Sequence, residues 1–186
     1  MIEVEKKFQP TEEKLKSLLE HAEFLGEIIN HDIYYDYNDF RLLKQDIRLR
    51  NRNGSFELKL GKSSGVAEEI EEEEKIKKYF NTSRPIQDFI KENLILVIDY
   101  KAKRRKYKKE EFTIDVDEMD FGYNLCEIEL LVGKEEEIKD AEDKIINLAK
   151  EYSFEIKKLP SKRVEYLRLL KPEIYKEIYA THSRKN

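Results

Sequence analysis

Charged side chains recur two residues apart in one β-forming stretch after another, and that spacing constrains this chain more than any other feature. The chain opens with "IEVEKKF", in which Glu3, Glu5 and Lys7 alternate with Ile2, Val4 and Phe8, with Lys6 the exception. Successive side chains of a strand point to opposite faces, so the charged set lines one face and the apolar set the other. The pattern returns in "DIRLRNR", where Arg48, Arg50 and Arg52 oppose Ile47 and Leu49, and in "SFELKL", where Glu57 and Lys59 oppose Phe56, Leu58 and Leu60. "TIDVD" sets Asp115 and Asp117 against Ile114 and Val116, and "CEIELL" sets Glu127 and Glu129 against Ile128 and Leu130. A half-solvated sheet also alternates. Here, however, the polar faces use Asp, Glu, Arg and Lys almost exclusively, and the intervening helices are amphipathic and need an apolar surface to cover. Apolar side outward under helices and charged side inward satisfies both conditions.

The remaining segments complete the count. "QPTEEKLKSLLEH" reads as a helix with Thr11 as N-cap, Glu12 and Glu13 in the first turn and a Leu15, Leu18, Leu19 stripe. "FLGEIINHDIYYDYN" is rich in β-formers, and Asn53-Gly54 suits a type I′ hairpin turn between two alternating runs. "SSGVAEEIEE" is expected to form a loop and a strand. "EEEKIKKYF" and "RPIQDFIKENL" read as short helices, the second with Pro85 in its first turn. Strands follow in "ILVIDYKAKRRKY", "EEFTIDVDEM" and "YNLCEIELLVG", then a helix from about Glu135 to Tyr152 with Ile138, Ala141, Ile145 and Leu148 at helical spacing. "SKRVEYLRLL" and "PEIYKEIYA" make a helical end, where Tyr175 and Tyr179 at i, i+4 spacing read as docking contacts. The fold class expected is α+β: a closed or nearly closed antiparallel eight-stranded β-barrel with a charged interior, covered by helices.

Composition narrows the chemistry. Of the 186 residues, 41% are charged, but 36 basic and 40 acidic side chains nearly cancel, so no single-sign field points to nucleic acid or an anionic membrane. "KAKRRKYKK" resembles a nucleic-acid patch in composition, but its place between two strands makes it a hairpin rim. The glutamates of "EEIEEEEK" suit a strand end and the start of a helix. Cys126 is the only cysteine, which rules out an intrachain disulfide, and His21, His31 and His182 lack zinc-site spacing. No glycine loop that would cradle a phosphate is present. No apolar run reaches the roughly 20 residues of a membrane helix. The expectation is a cytoplasmic, monomeric protein with no nucleic-acid or membrane partner.

Charges enclosed in a barrel are costly unless paired or neutralised by a ligand. Converging carboxylates suit a hard divalent cation with oxygen ligands, and fixed Arg and Lys suit phosphate oxygens. A wall carrying both fits a nucleotide or polyphosphate chelated by magnesium.

These residues resemble a known family. The Glu3-x-Glu5-x-Lys7 motif is similar to the signature of the CYTH family, the triphosphate tunnel metalloenzymes. The likeness extends through "DIYYDY", "RLRNR…FELK", "AKRRKY", "IDVDEMDFGYNLCEIE" and "LPSKRVEYLRLLKPEIY". It covers residues 1–186 as a single domain with a helical C-terminal segment from about 160, and its spacing looks most like the thiamine triphosphatases of that family. The resemblance implies metal-binding carboxylates at Glu3, Glu5, Glu69, Asp115, Glu127 and Glu129, with Mg2+ (or Mn2+) as cofactor. It implies triphosphate contacts at Lys7, Arg50, Arg52, Lys59, Arg104 and Lys162, and catalytic roles for Tyr34, Lys162 and Glu5. Whether one metal or two act, and whether a Glu, an Asp, or Tyr34 with Lys162 serves as base, stays open. Lys101 and Lys103 lie in the other strand phase from Arg104, so a bulge or twist must decide which points inward. Arg48 stands where thiamine triphosphatases typically carry an aromatic residue. The implied activity is metal-dependent hydrolysis of the terminal phosphoanhydride of thiamine triphosphate, a small-molecule substrate. Inorganic tripolyphosphatase, adenylate cyclase and a non-catalytic polyphosphate-binding module are the alternatives.

Overall fold

The structure, a computed structural model, describes residues 1–61 and 68–179. Residues 63–67 of the expected loop and strand, His182 and the last residues of the helical end lie outside the described residues.

Among the described residues, eight strands form one sheet: β1 (Ile2–Phe8), β2 (Glu23–Asp36), β3 (Ile47–Arg52), β4 (Ser55–Leu60), β5 (Glu68–Ile70), β6 (Ile95–Lys109), β7 (Phe112–Met119) and β8 (Asn124–Val132). Their order is β1-β8-β7-β6-β2-β3-β4-β5. The helices are α1 (Glu12–Leu19), α2 (Arg41–Lys44), α3 (Glu73–Tyr79), α4 (Ile86–Asn93), α5 (Ile138–Glu151), α6 (Lys162–Leu170) and α7 (Pro172–Tyr179). The class is therefore α+β with eight strands, as the alternating segments predict. The chain divides into two compact units, residues 1–29 with 102–161 and residues 30–101 with the segment from 162 onward.

In the first unit, β1 and β7 flank β8 in antiparallel register, with Val4 opposite Leu130 and Ile114 opposite Ile128. These even-numbered residues, with Phe8, Val116 and Cys126, pack against Leu18 of α1, Ala141, Ile145, Leu148 and Ala149 of α5, and Phe154. Ile114, Ile128 and Ile145 are fully buried, each contributing about 1.5–3 kcal/mol of apolar transfer. The apolar face thus lies under helices. Lys6 breaks the alternation, and the structure shows why that is tolerated: its ammonium reaches Glu142 of α5 at 2.7 Å while its stem crosses the apolar face. Thr11 caps α1 by accepting the Lys14 N–H at 3.4 Å.

The second unit repeats the construction. Leu49 and Leu58 face each other across β3 and β4 and are fully buried with Ile76 of α3 and Ile86 and Ile90 of α4. The β3–β4 hairpin turns through Asn53 and Gly54 with φ of 51° and 95°, the left-handed pair a type I′ turn requires. Asp36 ends β2 and accepts the backbone N–H groups of Tyr37, Leu42 and Leu43 at 2.7, 3.0 and 2.8 Å, satisfying donors at the start of α2. Two boundaries differ from expectation. Pro85 sits one residue before α4 as its cap, where its missing N–H costs nothing, and a 3-10 turn at Glu135–Glu137 precedes α5. Among the described residues, no helix is long and apolar enough to cross a membrane.

Candidate active site

The face of the first unit opposite its core carries the charges. Register sets Glu5 opposite Glu129 and Lys7 opposite Glu127 across β1 and β8. Asp115 lies opposite Glu127 on the next strand, and Arg104 and Lys106 lie opposite Asp117 and Asp115. The phase of β6 is thereby settled: Arg104 and Lys106 belong to this face, while Lys103 and Arg105 pair with Glu118 on the other. Asp115 and Asp117 are completely buried.

Two groups of carboxylates converge here. Glu3, Glu5 and Glu129 bring oxygens within 4.8 Å of one another, as do Asp115, Glu127 and Glu129, so Glu129 belongs to both. Like charges directly opposite across a ladder are destabilising. Burial first, then Asp115 and Glu3, push the Glu129 carboxyl up to about 8. Arg104 offsets part of this charge. It grips Asp117 with two hydrogen bonds of 2.8 and 2.7 Å, donates to Glu127 at 2.7 Å and lies 2.5 Å from Asp115. Burial opposes the Arg104 charge, but these three carboxylates outweigh it and hold the guanidinium above its ordinary value. Even so, burial keeps Asp115 above the usual carboxylate range, and among the described residues neither of its oxygens accepts an aligned hydrogen bond. Lys7 hydrogen-bonds Glu5 and lies 3.5 Å from Glu127; burial works against its charge, and the two glutamates prevail and raise it. Crowded, under-compensated carboxylate oxygens of this kind fit a hard divalent cation, which takes oxygen ligands at 2.0–2.6 Å.

The corresponding face of the second unit is predominantly cationic. Arg52 binds Asp32 through two hydrogen bonds of 2.6 and 2.8 Å. Arg50 donates to Glu57 at 2.7 Å and lies 3.7 Å from Asp32 and 3.4 Å from Glu69. Lys59 lies opposite Glu69 and 3.4 Å from it. Glu69 is held below the usual carboxylate range, because Lys59 and Arg50 outweigh its burial. Of the residues expected to bind metal, Glu69 alone is in this unit and lies in neither converging group among the described residues. Tyr34 sits opposite Arg50, buried, its ring stacked on that of Tyr100 at 6.3 Å. Burial, then Tyr34 and Asp32, push the Tyr100 hydroxyl well above its ordinary value. Lys162 opens α6, half-buried.

Some participants were not singled out from sequence. Asp32, which receives Arg52 and neighbours Arg50, is legible in "HDIYYDY" once Asp32 and Tyr34 are seen to share a strand face. Asp117 was marked only by phase, and Lys106 not at all.

Sheet, register and charged faces together match one family of domain. The chain belongs to the CYTH family, whose domain matches residues 1–160. Among curated proteins it is similar to the thiamine-triphosphatase of Homo sapiens, 27% identical over 98% of this chain and 91% of the human protein. It is likewise 28% identical to that of Macaca fascicularis, over 100% of this chain and 92% of the relative. Among solved structures, a protein from Pyrococcus horikoshii OT3 is 28% identical with a TM-score of 0.63, covering 92% of this chain and 99% of the other. A Hippeastrum protein described as a putative adenylyl cyclase with a dominant triphosphatase activity shares the fold at 18% identity, with a TM-score of 0.58, over 89% of this chain and 94% of its own.

Proposed function

We propose that this chain hydrolyses the terminal phosphoanhydride of a small-molecule triphosphate with the help of a divalent metal ion, magnesium or manganese. The observation that carries the reading is the convergence of Glu3, Glu5, Asp115, Glu127 and Glu129 beside Arg104 and Lys7 on one sheet face. A pure anion binder gains nothing from carboxylates that repel its ligand. Glu3, Glu5 and Glu129, or Asp115, Glu127 and Glu129, would hold the cation, which when bound would neutralise phosphate oxygens and orient them. Arg104 and Lys7, fixed by their carboxylate partners, are pre-positioned donors for charge that develops as the phosphoanhydride breaks. Arg50, Arg52 and Lys59 are donors of the same kind, with Arg50 and Arg52 held in planar, bidentate-capable geometry. Tyr34 and Lys162 are assigned to substrate positioning or proton transfer.

Thiamine triphosphate, cleaved to thiamine diphosphate and phosphate, is the substrate to which the name of the curated relatives points. Inorganic tripolyphosphate is a second reading, favoured by Arg48 on the cationic face of β3. The test is phosphate release by purified protein with magnesium or with chelator, from thiamine triphosphate, tripolyphosphate and ATP. Magnesium-dependent release is expected. Glu3→Gln and Glu5→Gln, both at exposed positions, should each lose about 10²–10³-fold in rate with unchanged melting. Full activity in either variant would remove it from the metal set.

A further inference from the structure

Three buried donors in the second unit have no acceptor among the described residues. Along β3 the charged face carries Arg52, Arg50 and Arg48 at alternate positions, about 7 Å apart. Arg52 and Arg50 are matched by Asp32, Glu57 and Glu69. Arg48 is not matched in this way. Its ladder neighbour is another cation, Lys59, and its nearest carboxylate oxygen, on Asp46, is 3.5 Å away. The Arg48 Nε is buried and has no hydrogen-bond partner among the described residues.

Arg163 of α6 is 9% exposed and spends one nitrogen on the same Asp46, at 2.9 Å. Its Nη1 is buried and without a hydrogen-bond partner among the described residues, as is the Tyr179 hydroxyl of α7. The surroundings of Tyr179 include Arg163, Asp46 and Arg48, which places all four in one cluster. Asp46 is 58% exposed at its side chain, so two guanidiniums share one half-solvated carboxylate. Burial, then the charge of Arg163, push Arg48 below its ordinary value. The position of Asp46 is itself built in: a Cβ on Gly61 would collide with its carboxylate. A buried donor left without an acceptor is costly. Water would satisfy the protons but leave the charge; an oxyanion satisfies both.

We propose that Arg48, Arg163 and Tyr179 form an oxyanion subsite that extends the cationic face of β3, and that the substrate presents an anionic phosphate group there rather than a cationic ring. This rests on the triphosphatase reading and deepens it. Arg48 repels a thiazolium, and the neighbouring guanidinium of Arg163 adds to that repulsion. The substrate class selected is an all-anionic polyphosphate, with thiamine triphosphate disfavoured.

The test separates binding from turnover. Tripolyphosphate is titrated calorimetrically into metal-free protein, wild type and variants. Arg48→Gln and Arg163→Gln should each weaken binding about tenfold, the effect of one charged hydrogen bond. Tyr179→Phe should weaken it about threefold, and Arg84→Gln, at an exposed pair with Glu92, should leave it unchanged. Thiamine triphosphate should bind the wild type more weakly than tripolyphosphate and should recover in Arg48→Gln. Melting curves check folding; should Arg163→Gln not fold, Arg48→Gln and Tyr179→Phe decide. Binding in Arg48→Gln and Tyr179→Phe equal to wild type, or no binding by wild type, overturns the subsite. Absence of magnesium-dependent phosphate release with charge-selective binding intact would overturn the triphosphatase reading and leave the subsite standing. Turnover with unaltered binding in the variants would do the reverse.

Discussion

The two units use one construction to opposite electrostatic effect. Each lays alternating strands with their apolar face under helices, and each gives the other face to charge. In the first unit that face is dominated by acids: Glu3, Glu5, Asp115, Asp117, Glu127 and Glu129 surround Lys7, Arg104 and Lys106. In the second it is dominated by bases: Arg48, Arg50, Arg52 and Lys59 around Asp32, Glu57 and Glu69. Sheet geometry is therefore indifferent to the sign of the charge it displays. What differs is compensation. Arg104 is one cation in contact with three buried carboxylates, whereas Asp32 is one buried carboxylate between two arginines.

That asymmetry gives the largest expected effect. Arg104→Gln strips the guanidinium from Asp115, Asp117 and Glu127, two of them wholly buried, and should cost about 3–5 kcal/mol in chemical denaturation. Arg52→Gln leaves Asp32 with Arg50 still 3.7 Å away and should cost about 1–3 kcal/mol. Equal losses in the two variants would erase the distinction between the faces.

Much of this contrast was legible in the chain, and the illegible part has a physical cause. Period-2 spacing is a local property, so the charged and apolar faces of β1, β3, β4, β7 and β8 could be read from the residues alone. The phase of β6 could not. "KAKRRKY" places a cation in both phases, and only the register against β7, Arg104 opposite Asp117, selects one. Asp32 is obscured for a related reason: its partner Arg52 is distant in sequence, and the face it shares with Tyr34 shows only once the phase of β2 is known. Arg163 pairs with Asp46 across 117 positions, a separation at which sequence spacing holds no information. The convergence of carboxylates lies between these cases. The two carboxylate pairs are visible as motifs, but that Glu129 serves both converging groups depends on three strands being in register.

The next effect in size concerns cation and pH. In metal-free protein the Glu129 carboxyl, at about 8, retains a proton that the unfolded chain loses in the ordinary carboxylate range. The folded state then binds more protons than the unfolded state, so stability should fall as pH rises from about 4.5 to 8. Magnesium at roughly 100 times its dissociation constant should add about 2.7 kcal/mol and flatten that decline. Glu129→Gln should remove both the pH slope and most of the magnesium effect. Thermal melting from pH 5 to 8, with magnesium or with chelator, reads all three. The cationic face of the second unit should contribute no magnesium-dependent term, so Glu57→Gln should leave the shift on adding magnesium as large as in wild type.

The smallest effect compares the two hairpins. In the second unit the β3–β4 turn places Asn53 and Gly54 at positive φ, residues that adopt that conformation readily. In the first unit β6 and β7 are joined through Glu110 and Glu111, and Glu110 takes φ of 52° without the freedom of glycine. A left-handed residue that is not glycine costs about 1–2 kcal/mol in conformational strain. Gly54→Ala, at φ of 95°, should therefore destabilise by about 1 kcal/mol, while Glu110→Gly should stabilise by up to about 1 kcal/mol after the added freedom of the unfolded chain is deducted. The opposite signs make the pair of denaturant midpoints informative together. Glu110 is exposed at the hairpin tip, so packing loss does not obscure the backbone effect. A destabilised Glu110→Gly would mean that this turn gains more from its glutamate than it loses in strain, and that the hairpin carrying Arg104 is held by its side chains rather than by its turn.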